Sequence, residues 1–200
     1  YYNPKFTPIY TLSKYYDDYC RKSYYGGRVE CFKLGEIKCR LFYYDYTSLY
    51  PSQMVKDLPY GEPVKKSKEE IEELLSTGCF FGFVRVYVRT INFDMTPLHA
   101  FRDEKNHKLL FPHFENWTEI TLFSEELKRG FVTGGYEYRI IDGVEFKKKK
   151  ILKKATEDVY KFKQEADKKG NKALKMCWKI ILNSLYGFWG LRVNDRSGVE

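Results

Sequence analysis

Two phrases far apart in this 200-residue chain carry the residue types from which chemistry can be built. In the first, Asp45 ends an apolar run of Leu41, Phe42, Tyr43 and Tyr44 and is followed by Tyr46-Thr47-Ser48-Leu49-Tyr50-Pro51-Ser52-Gln53. In the second, Lys179 and Asn183 stand one helical turn apart, ahead of Ser184-Leu185-Tyr186-Gly187. A carboxylate at the C-terminal edge of a strand can hold Mg²⁺ through oxygen, and the ion bridges to polyphosphate oxygens. The amides of Ser48 and Leu49 can then face the phosphates as a backbone nest. Tyr50 would lie flat under a sugar. Lys175, Lys179 and Asn183 recur at i, i+4 and i+8 and so share one helix face. Lysine serves phosphate as a point charge and needs no bidentate geometry. Lys172 suits the role of Lys175 equally well. The combination is what a nucleoside triphosphate with its magnesium ions requires.

These residues need elements to hold them. Residues 29–32 and 38–44 read as strands joined by a hairpin at Leu34-Gly35-Glu36, and the second strand would deliver Asp45 at its end. Pro51 fits the first turn of a helix running through Gln53 and Val55. Ile151, Leu152, Ala155, Val159, Tyr160 and Phe162 keep a period near 3.6. Lys169-Gly170-Asn171 breaks that pattern, and a second helix from about Lys172 to Tyr186 would stop at Gly187. The two helices make an antiparallel hairpin.

Between Asp57 and about Lys150 the pattern changes. Ser67-Lys68-Glu69-Glu70 is a capping box opening a short acidic helix to Leu75. Residues 79–90 alternate as a strand, and residues 123–129 look helical. Residues 136–141 and 144–146 read as a hairpin turning on Asp142-Gly143. This stretch is an inserted α+β subdomain. Residues 1–27 are tyrosine-rich and irregular, closing on Tyr24-Tyr25-Gly26-Gly27-Arg28, where a Gly-Gly pair marks a turn or a close backbone approach.

Composition narrows the partner. The formal net charge is +8, which suits a polyanion, since each Lys or Arg set on a phosphate releases a counterion. A hydrophobic content of 43% excludes a wholly disordered chain. No apolar run approaches the roughly 20 residues that span a bilayer, so no membrane partner is expected. The five cysteines form no C-x-x-C, and no His pair has ligand spacing, so neither a disulfide framework nor a zinc site is expected. His99, His107 and His113 are scattered without a nucleophile. Tyr15-Tyr16-Asp17-Asp18 matches the Tyr-x-Asp-Asp box of reverse transcriptases only superficially, because it precedes Asp45 in the chain. The basic run 147–150 with Lys153 and Lys154 reads as a solvated face or as a track for nucleic-acid backbone.

Residues 45–52 resemble motif A of the family B DNA polymerases, and residues 179–187 resemble their motif B. Tyr24-Tyr25-Gly26-Gly27 is similar to the Tyr-x-Gly-Gly element of the protein-primed branch found in phages, adenoviruses and linear mitochondrial or cytoplasmic plasmids. The resemblance implies an α+β fold: a partial, β-rich palm, an inserted α+β subdomain and a two-helix fingers hairpin. It implies a linker over 1–28, the first part of the palm over 29–60, and a terminal-protein-interacting insertion over 61–148. Fingers over 149–187 and a return towards the palm over 188–200 complete the series.

The implied activity is DNA-directed addition of dNTPs to a primer 3′-hydroxyl, on a DNA template, with a priming terminal protein as a further partner. Asp45 and the Tyr46 carbonyl would hold two Mg²⁺ ions with a second carboxylate. Ser48, Leu49 and Tyr50 would hold triphosphate and sugar, with Tyr50 excluding a 2′-hydroxyl. Lys175, Lys179 and Asn183 would meet the triphosphate. Tyr24, Gly26, Gly27, Tyr186 and Gly187 would meet template and nascent base pair. Neither the family's Tyr-x-Asp-Thr-Asp, which carries the second carboxylate, nor the exonuclease Asp-x-Glu is present. The chain therefore reads as an internal portion that does not extend a primer alone. Mitochondrial residence follows from the plasmid enzymes, with cytoplasmic or viral settings as alternatives. A non-catalytic DNA-binding derivative of such a polymerase is the competing reading.

Overall fold

The computed structural model describes residues 11–103, 105 and 108–190. His107 and the expected return over residues 191–200 lie outside them. The chain divides into two compact units, one of Tyr1–Gly35 with Pro59–Lys147 and one of Glu36–Leu58 with Lys148–Glu200.

The first unit is a four-stranded sheet backed by helices. Its strands are β1 (Leu58–Lys66), β2 (Gly82–Thr90), β5 (Thr118–Phe123) and β6 (Tyr136–Lys149), in the order β1-β6-β2-β5. A two-stranded ribbon, β3 (Phe101–Arg102) with β4 (Leu109–Leu110), lies apart from it. The helices are α1 (Lys14–Arg21), α3 (Lys68–Ser76) and α4 (Ser124–Thr133), while α2 belongs to the second unit. On β2, Val84, Val86 and Val88 are fully buried and pack with Ile71 of α3, Leu127 of α4 and Ile120 and Leu122 of β5. That strict alternation is the signature of a strand with one face on a core. Ser67 and Glu70 close the expected capping box reciprocally, Ser67 Oγ accepting from the Glu70 amide at 3.3 Å and Glu70 from the Ser67 amide at 2.8 Å.

Asp142-Gly143 is not a turn. β6 runs straight through it, paired antiparallel with β2, and the register slips between Arg85 and Val86. Arg85 opposes Asp142 and Val86 opposes Ile140, so Ile141 is the extra residue of a β-bulge. The slip exchanges the faces of the strand. Ile140 points into the main core, whereas Val144 and Phe146 join Tyr19 in a second cluster against α1. Asp142 lands on that second face, bound by Arg85 Nη2 at 2.6 Å and by the Tyr19 hydroxyl at 2.9 Å. Burial pushes the Asp142 carboxyl up, but the hydrogen bonds from Arg85 and Tyr19 outweigh it and leave the group below the usual carboxylate range. Gly143 faces the helices, where a Cβ would meet both Ile71 Cδ1 and the Phe83 carbonyl at 2.8 Å.

The second unit is a helical hairpin with a short helix docked on it. Helices α5 (Lys153–Lys168) and α6 (Lys172–Gly190) are joined by a turn with Gly170 at φ +66°, and the Asn171 side chain accepts from the Leu174 amide at 3.0 Å. Phe162 and Trp178 pack ring to ring across the hairpin at 5.0 Å. Gly187 does not end α6: a Cβ there would meet nothing, and the helix continues to Gly190. Helix α2 (Leu49–Met54) packs on both α5 and α6 with Pro51 and Met54 buried.

The expected strands at 29–32 and 38–44 do not form. Among the described residues nothing pairs with them, and Leu41, Phe42, Tyr43 and Tyr44 stay exposed. A run of β-formers becomes a strand only when a ladder partner satisfies its backbone. Asp45 is accordingly carried by irregular chain rather than by a strand end. No described helix is long and apolar enough to cross a membrane.

Candidate nucleotide site

The distant phrases meet inside the second unit. A cavity of about 270 Å³ is lined by Asp45, Thr47, Ser48 and Pro51 from one segment, Lys163 from α5, and Lys179, Leu182 and Asn183 from α6. Its walls thus supply one carboxylate, two ammonium groups, two hydroxyls and an amide.

Local geometry explains how the first segment enters. Ser48 adopts the left-handed conformation, φ 54° and ψ 49°, and is the one non-glycine residue at positive φ among those described. That conformation costs about 1–2 kcal/mol in a non-glycine residue. It reverses the chain between Asp45 and α2, so that carboxylate and helix both border the cavity. Lys163 Nζ donates to Ser48 Oγ at 3.3 Å and lies 5.2 Å from the Tyr160 ring. About one turn beyond Asn183 on α6, Tyr186 stacks on Tyr50 with ring centroids 4.9 Å apart.

The cavity therefore brings together Asp45, Ser48, Lys179 and Asn183 of the residues singled out in the sequence. Tyr50 and Tyr186 meet each other, while Leu49 and Tyr46 are exposed nearby in the chain. Lys175 is not among the lining residues. Its ammonium pairs with Asp167 Oδ1 across the hairpin at 2.6 Å, and Lys172 opens α6 at the turn. Lys163 was passed over in the sequence, because helical spacing on α6 says nothing about which residue of α5 faces it.

Tyr24, Gly26 and Gly27 are exposed on a loop of the first unit, and Gly187 is exposed on α6. His99 is fully buried, Nδ1 3.1 Å from Glu126 and Nε2 2.6 Å from the Tyr138 hydroxyl, a satisfied core histidine. Asp17 pairs with Arg21 within α1. No described cluster of three His, Cys, Asp or Glu residues could hold a metal ion. Asp45 is nonetheless a suitable single protein ligand for a magnesium ion, which takes one or two carboxylates and completes its shell with phosphate oxygens and water.

The second unit is thus a helical hairpin on which a turn-and-helix segment brings a carboxylate to two ammonium groups. The chain superposes on phi29 DNA polymerase in an orthorhombic crystal form with a TM-score of 0.68 at 23% identity, covering 92% of this chain and 33% of that one. Phi29 polymerase complexed with primer-template DNA gives a TM-score of 0.63, again at 23% identity, covering 92% of this chain and 32% of that one. The family model for DNA polymerase type B, organellar and viral, matches residues 1–198, and this chain belongs to that family. A probable DNA polymerase of Neurospora intermedia is 30% identical over 84% of the chain, and a DNA polymerase of Kluyveromyces lactis is 31% identical over the same share. The chain spans 17% of the length of each.

Proposed function

We propose that this chain is the nucleotide-handling portion of a DNA-directed DNA polymerase, in which a primer 3′-hydroxyl attacks the α-phosphorus of a dNTP and releases pyrophosphate. The observation that carries the reading is the single cavity onto which Asp45, Lys179 and Asn183 converge from opposite ends of the sequence. Divalent cations, when bound, stabilise the attacking and leaving oxygens of such a displacement.

Asp45 supplies one carboxylate to those cations and the Tyr46 carbonyl a further oxygen. Lys179 and Lys163 neutralise phosphate charge from two helices, and Asn183 and Ser48 add hydrogen bonds. Leu49 contributes its amide, and Tyr50 forms the floor under the sugar, selecting against a 2′-hydroxyl. Tyr186 and Gly187 border the nascent pair. Preorganised charge of this kind is where most of the rate acceleration of phosphoryl transfer arises. Tyr24, Gly26 and Gly27 would meet the template. Magnesium is the expected metal, and the second carboxylate comes from elsewhere in the polymerase.

The family description, organellar and viral, and the fungal relatives support an organellar setting, and a linear mitochondrial replicon is the finer form of that proposal. Priming by a terminal protein docked on the insertion extends the same reading. The decisive experiment is primer extension by the full-length polymerase with Mg²⁺. Asp45→Asn should abolish incorporation while leaving DNA binding intact, and extension that survives this change refutes the assignment.

A further inference from the structure

The Tyr-x-Gly-Gly loop has two sides. Tyr24, Gly26 and Gly27 are exposed, and Gly26 has open space where a Cβ would stand. Tyr25 and Arg28 instead turn inward, onto residues of the insertion. The Arg28 guanidinium lies 4.3 Å from the Phe111 ring centroid and 5.5 Å from that of Phe32. Its Nη1 donates to the Pro97 carbonyl at 2.5 Å and its Nε to Glu30 at 2.6 Å. The Tyr25 ring sits 5.8 Å from the Arg102 guanidinium.

The segment that receives Arg28 is itself fixed to the sheet. The residue after Pro97, Leu98, donates its amide to the Tyr136 hydroxyl at 2.7 Å, and His99 is buried between α4 and β6. A planar guanidinium with its face on an aromatic ring and its edge on a carbonyl is oriented in a way an ammonium cannot reproduce.

We infer that Arg28 is a positioning residue, clamping the exposed Tyr24-Tyr25-Gly26-Gly27 loop to the Pro97 and Phe111 segments of the insertion so that the insertion sets the loop's grip on template DNA. The inference rests on the template-contacting role proposed above for that loop. Arg28 acts without touching phosphate, since its face, Nε and Nη1 are engaged within the chain and its Nη2 is buried beside Glu30. Ordering a loop before binding removes that entropy cost from the binding step.

The test uses the full-length polymerase and measures primer-template Kd across a salt series, dNTP KM at saturating DNA, and melting temperature. Arg28→Ala should weaken primer-template binding about tenfold, a loss of about 1.4 kcal/mol, with dNTP KM unchanged. The slope of log K against log salt should also be unchanged, because a lost phosphate contact lowers it by about one unit and a lost clamp does not. Arg28→Lys, which keeps the charge but not the plane, should recover less than half of the lost affinity. Phe111→Leu, which keeps bulk without a ring, should reproduce the weakening, and Arg28→Ala with Phe111→Leu should be no worse than Arg28→Ala alone. A salt slope reduced by one unit, full rescue by Arg28→Lys, or unaltered DNA affinity at a normal melting temperature each overturns the proposal. If the wild type itself fails to bind primer-template, the template-handling reading falls and takes this one with it. Normal wild-type binding with unaffected variants defeats the clamp alone.

Discussion

Replacing Lys163 with alanine asks which lysines hold the triphosphate. Lys163 is half-buried and reaches the cavity from α5, where its ammonium holds the Ser48 hydroxyl. Lys175, on the same helix as Lys179, is drawn away by Asp167 at 2.6 Å, in an ion pair whose side chains are 41% and 59% exposed. An exposed pair of this kind contributes about 0.2–1 kcal/mol, and removing it takes nothing from the cavity. A hydrogen bond from a charged group to an anion is worth about 1.5–3 kcal/mol. Screening at a half-buried site places Lys163 near the lower end, so Lys163→Ala should raise the dNTP KM of the full-length enzyme about tenfold. Lys175→Ala should change it less than about threefold, within the range of a surface pair. Single-nucleotide incorporation under steady-state conditions measures both. If Lys175→Ala is the more damaging change, the cavity is not where the triphosphate binds and the placement argument fails.

Other consequences can be measured in the same protein. Gly143→Ala should destabilise the first unit by about 1–3 kcal/mol, seen as a lower melting temperature, because the added methyl meets Ile71 and the Phe83 carbonyl at 2.8 Å. The depressed Asp142 carboxyl contributes stability that is complete above its unfolded-state pKa and is lost as pH falls through the lower folded value. Arg85→Met should therefore flatten the acid limb of a stability-against-pH curve, and an unchanged limb would remove Asp142 from the account. Burial, with Asp17 nearby, pushes the Cys20 thiol up to about 12. At pH 8 iodoacetamide should thus modify exposed Cys31, Cys39 and Cys79 well before Cys20, as peptide mass spectrometry can follow.

Much of the nucleotide site was legible because its chemistry is local. An aspartate before Ser-Leu-Tyr-Pro, and Lys and Asn one turn apart, announce themselves from a few adjacent residues. What escaped was decided at a distance. Asp142-Gly143 has the composition of a hairpin turn, yet Arg85 and Tyr19 claim the aspartate and Ile71 needs the glycine's empty Cβ position. β1 escaped notice because Pro59, Gly61 and Pro63 interrupt it, and it survives as an edge strand with β6 as its one neighbour. The reverse error fell at 38–44, where β-forming residues have no described partner. Lys163 was invisible to a period measured along α6 alone.

The bulge at Ile141 gives β6 an unusual relation to changes in its own length. Upstream of it the even-numbered Ile140 serves the main core; downstream the even-numbered Val144 and Phe146 serve the cluster at α1. Loss of that single codon would restore an unbroken ladder and leave Asp142, Gly143 and Val144 opposite their present partners Arg85, Val84 and Phe83. Loss of two neighbouring residues would keep the parity but shorten the strand against β2. The strand should therefore accept a one-residue gap at the bulge far more readily than at any other position, where the residues beyond the gap would turn to the opposite face.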